Sequence, residues 1–177
     1  LPAALPTSRS AGFFVSVTQE PGMSPEPVIE LRPADAQDAG TIREIVRAAY
    51  ARWIPAIGRE PRPMTVDYAQ AVREHQIDLL CRDGHMLGLI ETMLRPDHLW
   101  IENIAIRPEH QHKGLGRRLL AHAEHLAATA GRAELRLLTN AAFAANVALY
   151  ERTGYQIDRR EAFMGGITLY MAKTLDG

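Results

Sequence analysis

The run Leu99-Trp100-Ile101-Glu102-Asn103-Ile104-Ala105-Ile106, followed by Gln111-His112-Lys113-Gly114-Leu115-Gly116, decides the reading of this chain. The first stretch is apolar and rich in isoleucine, as a strand is, and an amphipathic helix follows the second. A glycine-rich turn between a strand and a helix start is an anion site, because successive backbone N–H groups there have no internal partner. The spacing narrows the anion. A Walker loop places Lys and Ser or Thr directly after its second glycine, whereas here Lys113 precedes Gly114, and Arg117 and Arg118 follow Gly116. The dinucleotide fingerprint needs a third glycine where Leu119 stands, and no alternating strand and helix units precede the turn. Neither nucleotide-binding pattern fits.

The surrounding order of elements is equally informative. Val28 to Arg32 reads as a first strand. Thr41 to Trp53 reads as a helix, with Ile42, Ile45, Val46, Ala49 and Trp53 on one stripe and Asp35 or Asp38 as its cap. A second helix is expected over Val66 to Glu74. Gln76 to Arg82 and His85 to Leu94 form a hairpin across Asp83-Gly84, a dipeptide suited to a tight primed turn. From Gly114 to Ala130 the residues Leu115, Leu119, Ala123, Leu126 and Ala127 recur at helical spacing until Gly131. Glu134 to Thr139 is a short strand. Phe143, Val147 and Tyr150 share one helical face before Gly154, and Tyr155 to Phe163 with Ile167 to Lys173 form a last hairpin across Gly165-Gly166.

Gln-x-x-Gly-x-Gly after a strand resembles the pyrophosphate loop of the GNAT superfamily of N-acetyltransferases, and Leu149-Tyr150-Glu151-Arg152-Thr153-Gly154-Tyr155 is similar to that family's Leu-Tyr-x-x-x-Gly-Phe signature. Two motifs in the right order are far more specific than either alone. The resemblance implies an α/β (mixed α+β) fold: a central, mostly antiparallel sheet with splayed central strands, flanked by about four helices. It implies acetyl-CoA as cosubstrate, with the pantetheine arm lying beside Ile104, Ala105 and Ile106 like an extra strand. A local bulge would turn donors toward the acetyl carbonyl and let this strand diverge from Glu134 to Thr139. The N–H groups of His112, Lys113, Gly114, Leu115, Gly116 and Arg117 would hold the pyrophosphate, aided by charge on Lys113 or Arg117, and Gln111 of the motif belongs to the cofactor-binding set. Glycine at 114 and 116 leaves room for that approach. Asn146 lies one turn before Tyr150 and would bond the arm. The family's usual asparagine position holds Phe143 here, so Asn140 at the strand end is an alternative.

The implied activity is acetyl transfer to a primary amine of a small molecule, peptide or protein, by direct attack in a ternary complex. Such an amine has a pKa near ~10.4, so a proton must be removed before attack. Glu102 is the candidate base, directly or through water, with Glu91 on the preceding strand as its substitute. The leaving thiolate gains from a proton, and Tyr150 holds the position of the family's general acid. The acceptor side is the connection Gly58-Arg59-Glu60-Pro61-Arg62-Pro63-Met64, flanked by Tyr50, Trp53 and Tyr68. A catalytically silent acetyl-CoA sensor or interaction module would carry the same cofactor motif, and a nucleotide-binding regulator is a more distant alternative.

Composition agrees with one enzyme domain over 28–177. The chain has 177 residues, 46% of them hydrophobic, enough for a sizeable core. A formal charge of -1 gives no reason to invoke nucleic acid, and no apolar run reaches the ~20 residues needed to span a bilayer. Cys81 is the single cysteine, which excludes an intramolecular disulfide and makes a reducing cytoplasm the simplest setting. His110-x-His112 and His122-x-x-His125 lack the partners of a metal set, so no metal is expected. Residues 1–27, rich in Pro, Ser, Ala and Gly, read as a flexible leader, with Met23 as a natural start and part of the upstream stretch non-native. A homodimer is expected across the C-terminal strands, with Tyr155, Phe163 and Tyr170 covering the edge.

Overall fold

The computed structural model describes residues 28–175. The expected leader lies outside the described residues. Seven strands form one sheet in the order β1-β2-β3-β4-β5-β7-β6. They are β1 (Ile29–Pro33), β2 (Gln76–Arg82), β3 (His85–Leu94), β4 (Leu99–Ile106), β5 (Glu134–Asn140), β6 (Gln156–Phe163) and β7 (Gly166–Thr174). Every neighbouring pair is antiparallel except β4 and β5. Four helices of about two turns or more flank the sheet: α1 (Ala39–Tyr50), α3 (Tyr68–Glu74), α4 (Leu115–Thr129) and α5 (Ala144–Arg152); α2 (Ile54–Ile57) is a single turn. This is the mixed α/β architecture that the sequence implies.

Two apolar layers sandwich the sheet. On one face Ile42, Ile45 and Val46 of α1 and Tyr68 of α3 pack on Leu79, Leu89 and Ala105. On the other, Leu119, Leu120, Ala123 and Ala127 of α4 pack on Leu80, Ile90, Leu135 and Leu137. Side chains such as Ile42 and Leu119 are fully buried, a gain of about 1.5–3 kcal/mol each relative to exposure. Alternation along the strands supplies both faces at once.

Several boundaries shift for local reasons. The first helix ends at Tyr50 rather than Trp53, tightening into a 3-10 turn over Ala51–Trp53 before α2, whose first turn holds Pro55 and whose end is Gly58 at φ 69. Asp67 accepts from the N–H groups of Ala69 and Gln70, so α3 starts at Tyr68 rather than Val66. Asp35 caps the 3-10 turn that leads into α1, while Asp38 pairs with Arg32 at 2.8 Å instead of capping α1. The last hairpin turns on Met164-Gly165, at φ 48 and 77; Gly166 already belongs to β7, facing Phe163. Phe143 leaves the face shared by Val147 and Tyr150 and joins the α1 layer, stacked on Trp53 at 4.8 Å. Tyr155 is 2% exposed and meets Tyr150 edge-on at 5.9 Å, and Tyr170 lies under Arg159, so neither is free to cover a sheet edge.

One irregularity organises the centre. Glu91 pairs with Asn103 but the next residue, Thr92, pairs with Ile101, which leaves Glu102 as an extra residue in β4. The extra residue reverses the facing of the strand. Leu99 and Ile101 before it and Ile104 and Ile106 after it all pack toward the α4 layer, while Asn103 and Ala105 turn toward α1. Parallel pairing with β5 covers only Leu99–Ile101 against Leu135–Leu137. Beyond the bulge the strands part, and the splay expected from the sequence is present.

Gly88 lets β3 stay close to this segment. A Cβ there would stand 2.6 Å from the Ala105 carbonyl oxygen, which is backbone and has no rotamer to escape into. Gly88→Ala is therefore expected to cost about 1–3 kcal/mol, measured by urea unfolding, and an unchanged midpoint would contradict the tight β3–β4 approach.

Candidate functional site

The divergence of β4 and β5 opens onto a groove of about 520 Å³. It is lined by Ile104, Ala105 and Ile106 of β4, by residues of the Gln111–Arg117 turn, by Tyr50, Arg52 and Trp53 from the end of α1 and the turn after it, and by Asn146, Leu149 and Tyr150 of α5. Backbone groups of β4 after Ile101 have no β5 partner. An extended, amide-bearing chain can occupy that place as a strand would.

The turn is built to leave amides free. His112 at φ 59 and Gly114 at φ 78 adopt left-handed backbone, with Gly114 as N-cap of α4. The first helical hydrogen bond runs from Arg118 N–H to the Gly114 carbonyl, so the amides of Leu115, Gly116 and Arg117 precede it. Gln111 braces the turn by donating from Nε2 to the Ile106 carbonyl at 3.0 Å. Charge agrees with an anion. Arg52, Arg117 and Arg152 line the groove, and among the described residues its lining holds no carboxylate.

Of the residues singled out from sequence, Ile104, Ala105, Ile106, Gln111, His112, Gly114, Leu115, Gly116, Arg117, Asn146 and Tyr150 come together around this groove. Lys113 does not line it; its Nζ donates to the Glu109 carbonyl at 2.8 Å. Glu102 also stands outside, at the bulge, accepting from Trp100 Nε1 at 2.7 Å. Asn140 is occupied elsewhere, accepting the Ala142 N–H at 2.9 Å. Arg52 carries no signal in the sequence, and Leu149 and Arg152 enter it only as members of the second motif, with no role of their own. Arg52 reaches from the end of α1 to Gln111 Oε1 at 3.1 Å, with its guanidinium 4.3 Å from the Trp53 ring centre. A solvent-facing arginine after an amphipathic stripe carries no periodic signal of such a reach.

Behind Tyr50 lies a second polar region. Glu91 is 2% exposed and is hydrogen-bonded to His75 Nδ1. Burial pushes its carboxyl above the usual range, against the opposing bond from His75. Burial likewise raises Tyr50, and pushes Tyr150 up to about 12. Among the described residues no group of three or more His, Cys, Asp or Glu is placed to hold a metal.

Comparison with known proteins agrees with this geometry. The model of the acetyltransferase (GNAT) family matches residues 42–155, and the chain belongs to that family. A curated relative, the ribosomal protein bS18-alanine N-acetyltransferase of Escherichia coli strain K12, is 38% identical over 76 residues; these are 43% of this chain and 51% of the relative. The matched segment thus spans about half the length of that relative. Among solved structures, PaiA N-acetyltransferase from Thermoplasma acidophilum in complex with coenzyme A is 19% identical at TM-score 0.72, covering 83% of this chain and 99% of the other. The ribosomal-protein-S18-alanine N-acetyltransferase of Escherichia coli is 24% identical at TM-score 0.70, covering 85% and 96%. These two likenesses concern the fold.

Gly116 lines the groove, and a Cβ there would stand 2.9 Å from the Leu149 side chain. Gly116→Glu places bulk and negative charge in that space. Coenzyme A titrated calorimetrically into the folded variant is expected to give no binding heat, and undiminished affinity would contradict the groove as an anion site.

Proposed function

We propose that this protein is an acetyl-CoA-dependent N-acetyltransferase that moves an acetyl group to a primary amine by direct attack in a ternary complex. The observation that carries the reading is the opening of β4 from β5 after Ile101 into a groove that the turn of free amides and Tyr150 also line. Unpaired strand backbone suits the peptide-like arm of the cosubstrate, the amides from His112 to Arg117 suit its pyrophosphate, and Arg52, Arg117 and Arg152 add the countercharge that a polyanion needs. Asn146, which lines the same groove, is our choice of residue to bond the arm. We assign residues 28–177 to one acetyltransferase domain.

Bound there, the thioester supplies the acetyl group; the remaining work is proton handling by the chain. The amine loses a proton as its nitrogen bonds to the acetyl carbon, and the carbon–sulfur bond breaks with its electron pair leaving on sulfur. Glu102 is our choice of base, because it stands at the bulge and is partly exposed, whereas Glu91 is buried against His75. Tyr150, at about 12, keeps its proton at every physiological pH and can donate to sulfur as charge develops. Tyr50 lines the same groove.

The acceptor includes peptide amines on this reading, supported by the relative named for the alanine of a ribosomal protein. Among the described residues no helix is long and apolar enough to cross a membrane. We place the protein in the cytoplasm on its single, buried Cys81, and propose a homodimer through the β6–β7 hairpin, where Phe163 and Met164 are exposed.

Tyr150→Phe keeps the ring's packing and removes only the hydroxyl. It is expected to lower kcat by about 10- to 10³-fold with any accepted amine, leaving coenzyme A affinity within a few-fold of the parent. Full turnover in the variant would remove Tyr150 from proton delivery.

A further inference from the structure

Three buried polar side chains join the acceptor side of the molecule to the β4 bulge. Tyr50 of α1, Tyr68 of α3 and Asn103 of β4 are 9%, 3% and 4% exposed, so each polar atom among them must find a partner inside the protein. They find one another. Tyr50 donates its hydroxyl to Asn103 Oδ1 at 2.8 Å, Asn103 Nδ2 donates to the Tyr68 hydroxyl at 3.1 Å, and Tyr68 donates to the Pro63 carbonyl at 2.9 Å. Each hydroxyl proton is used once, which also fixes the amide. With Asn103 flipped, Tyr68 would have to turn its proton to Oδ1 and abandon Pro63, and Tyr50 would be left with the Ile104 carbonyl at 3.4 Å.

The two ends of this chain lie in different parts of the molecule. Pro63 belongs to the 58–65 connection, which stands on the acceptor side. Asn103 is the first residue after the extra residue of the bulge, and Tyr50 lines the groove beside Ile104. A second tether of the connection, Arg47 to the Met64 carbonyl and to Glu60, is far more exposed: the Arg47 and Glu60 side chains are each 42% accessible. Exposed pairs of that kind contribute little.

Resting on the cosubstrate reading above, we infer that Tyr50, Asn103 and Tyr68 are positioning residues that couple occupation of the groove to the order of the 58–65 connection. A ligand lying along Ile104 to Ile106 stabilises the one bulge geometry that the network satisfies. The same geometry holds Pro63, and with it the connection. Coupling of this sort is reciprocal, so an acceptor that orders the connection tightens cosubstrate binding by the same factor.

Amide hydrogen exchange followed by mass spectrometry, with coenzyme A as the probe, tests this without any acceptor. In the unaltered protein, saturating coenzyme A is expected to slow exchange of peptides covering 112–117 and, by about fivefold or more, of peptides covering 58–65. In Tyr68→Phe, which retains the ring, and in Asn103→Ala, protection of 112–117 is expected to persist while that of 58–65 is lost. Arg47→Ala is expected to retain both. A thermal melt establishes that each variant is folded, and Tyr68→Phe serves where Asn103→Ala is not. Protection of 112–117 with none at 58–65 in the unaltered protein, or equal protection of 58–65 in both network variants, would overturn the coupling. Absence of protection at 112–117 in the unaltered protein would instead overturn the cosubstrate reading, and the coupling with it.

Discussion

Glu102 is one residue too many for a regular β4, and the rest of the site depends on that surplus. An extra residue in one strand of a pair adds local twist and changes which face each following side chain takes. Here it brings Ile104 and Ile106 back onto the layer that already holds Leu99 and Ile101, and it turns Asn103 toward α1. Parallel pairing with β5 ends at Ile101, immediately before the surplus residue. The groove is the space so released. Its polar floor is tolerable because the backbone groups exposed there face a cavity that a strand-like ligand can enter.

Charge divides along the same line. On the groove side stand arginines and free amides, with no carboxylate in the lining among the described residues. On the α1 and α3 side stand Glu91, Glu102, Tyr50 and Tyr68, close enough that the two carboxylates raise the pKa values of both tyrosines, although burial is the larger cause. A polyanionic donor and a cationic acceptor would be received from opposite flanks of one strand. Tyr150 lines the groove, and burial raises the pKa of its hydroxyl above that of an ordinary phenol.

Much of this was legible in the chain. β2, β3 and β4 have the limits that the apolar runs and Asp83-Gly84 indicate, although the β2–β3 hairpin also carries a bulge at Leu87, where Leu80 faces Gly88 and Cys81 faces Met86. The bulge was expected from the family resemblance alone; only its position in the structure gives meaning to the break of phase in the chain, where Leu99 and Ile101 are two apart, Ile101 and Ile104 three, Ile104 and Ile106 two again. Other features were not local enough to read. Phe143 and Val147 share a helical spacing, yet Phe143 precedes α5 at φ -84 and ψ 62 and so points to a different layer. The reach of Arg52 to Gln111 joins positions 59 residues apart, and the Tyr50–Asn103–Tyr68 chain joins three elements; neither leaves a periodic trace. Tyr155 sits where the family signature places an aromatic, and its contact with Tyr150 is a local one, its N–H donating to the Tyr150 carbonyl at 3.0 Å.

Deleting Glu102 is the most direct measurement. Removal of the surplus residue makes the alternation of Leu99, Ile101, Ile104 and Ile106 regular, so β4 can form without a bulge and continue its pairing with β5. The deletion variant is expected to be folded, by circular dichroism and cooperative urea unfolding, and no longer to bind coenzyme A in a calorimetric titration. A folded deletion variant that binds coenzyme A with unchanged affinity would contradict the claim that the bulge creates the site.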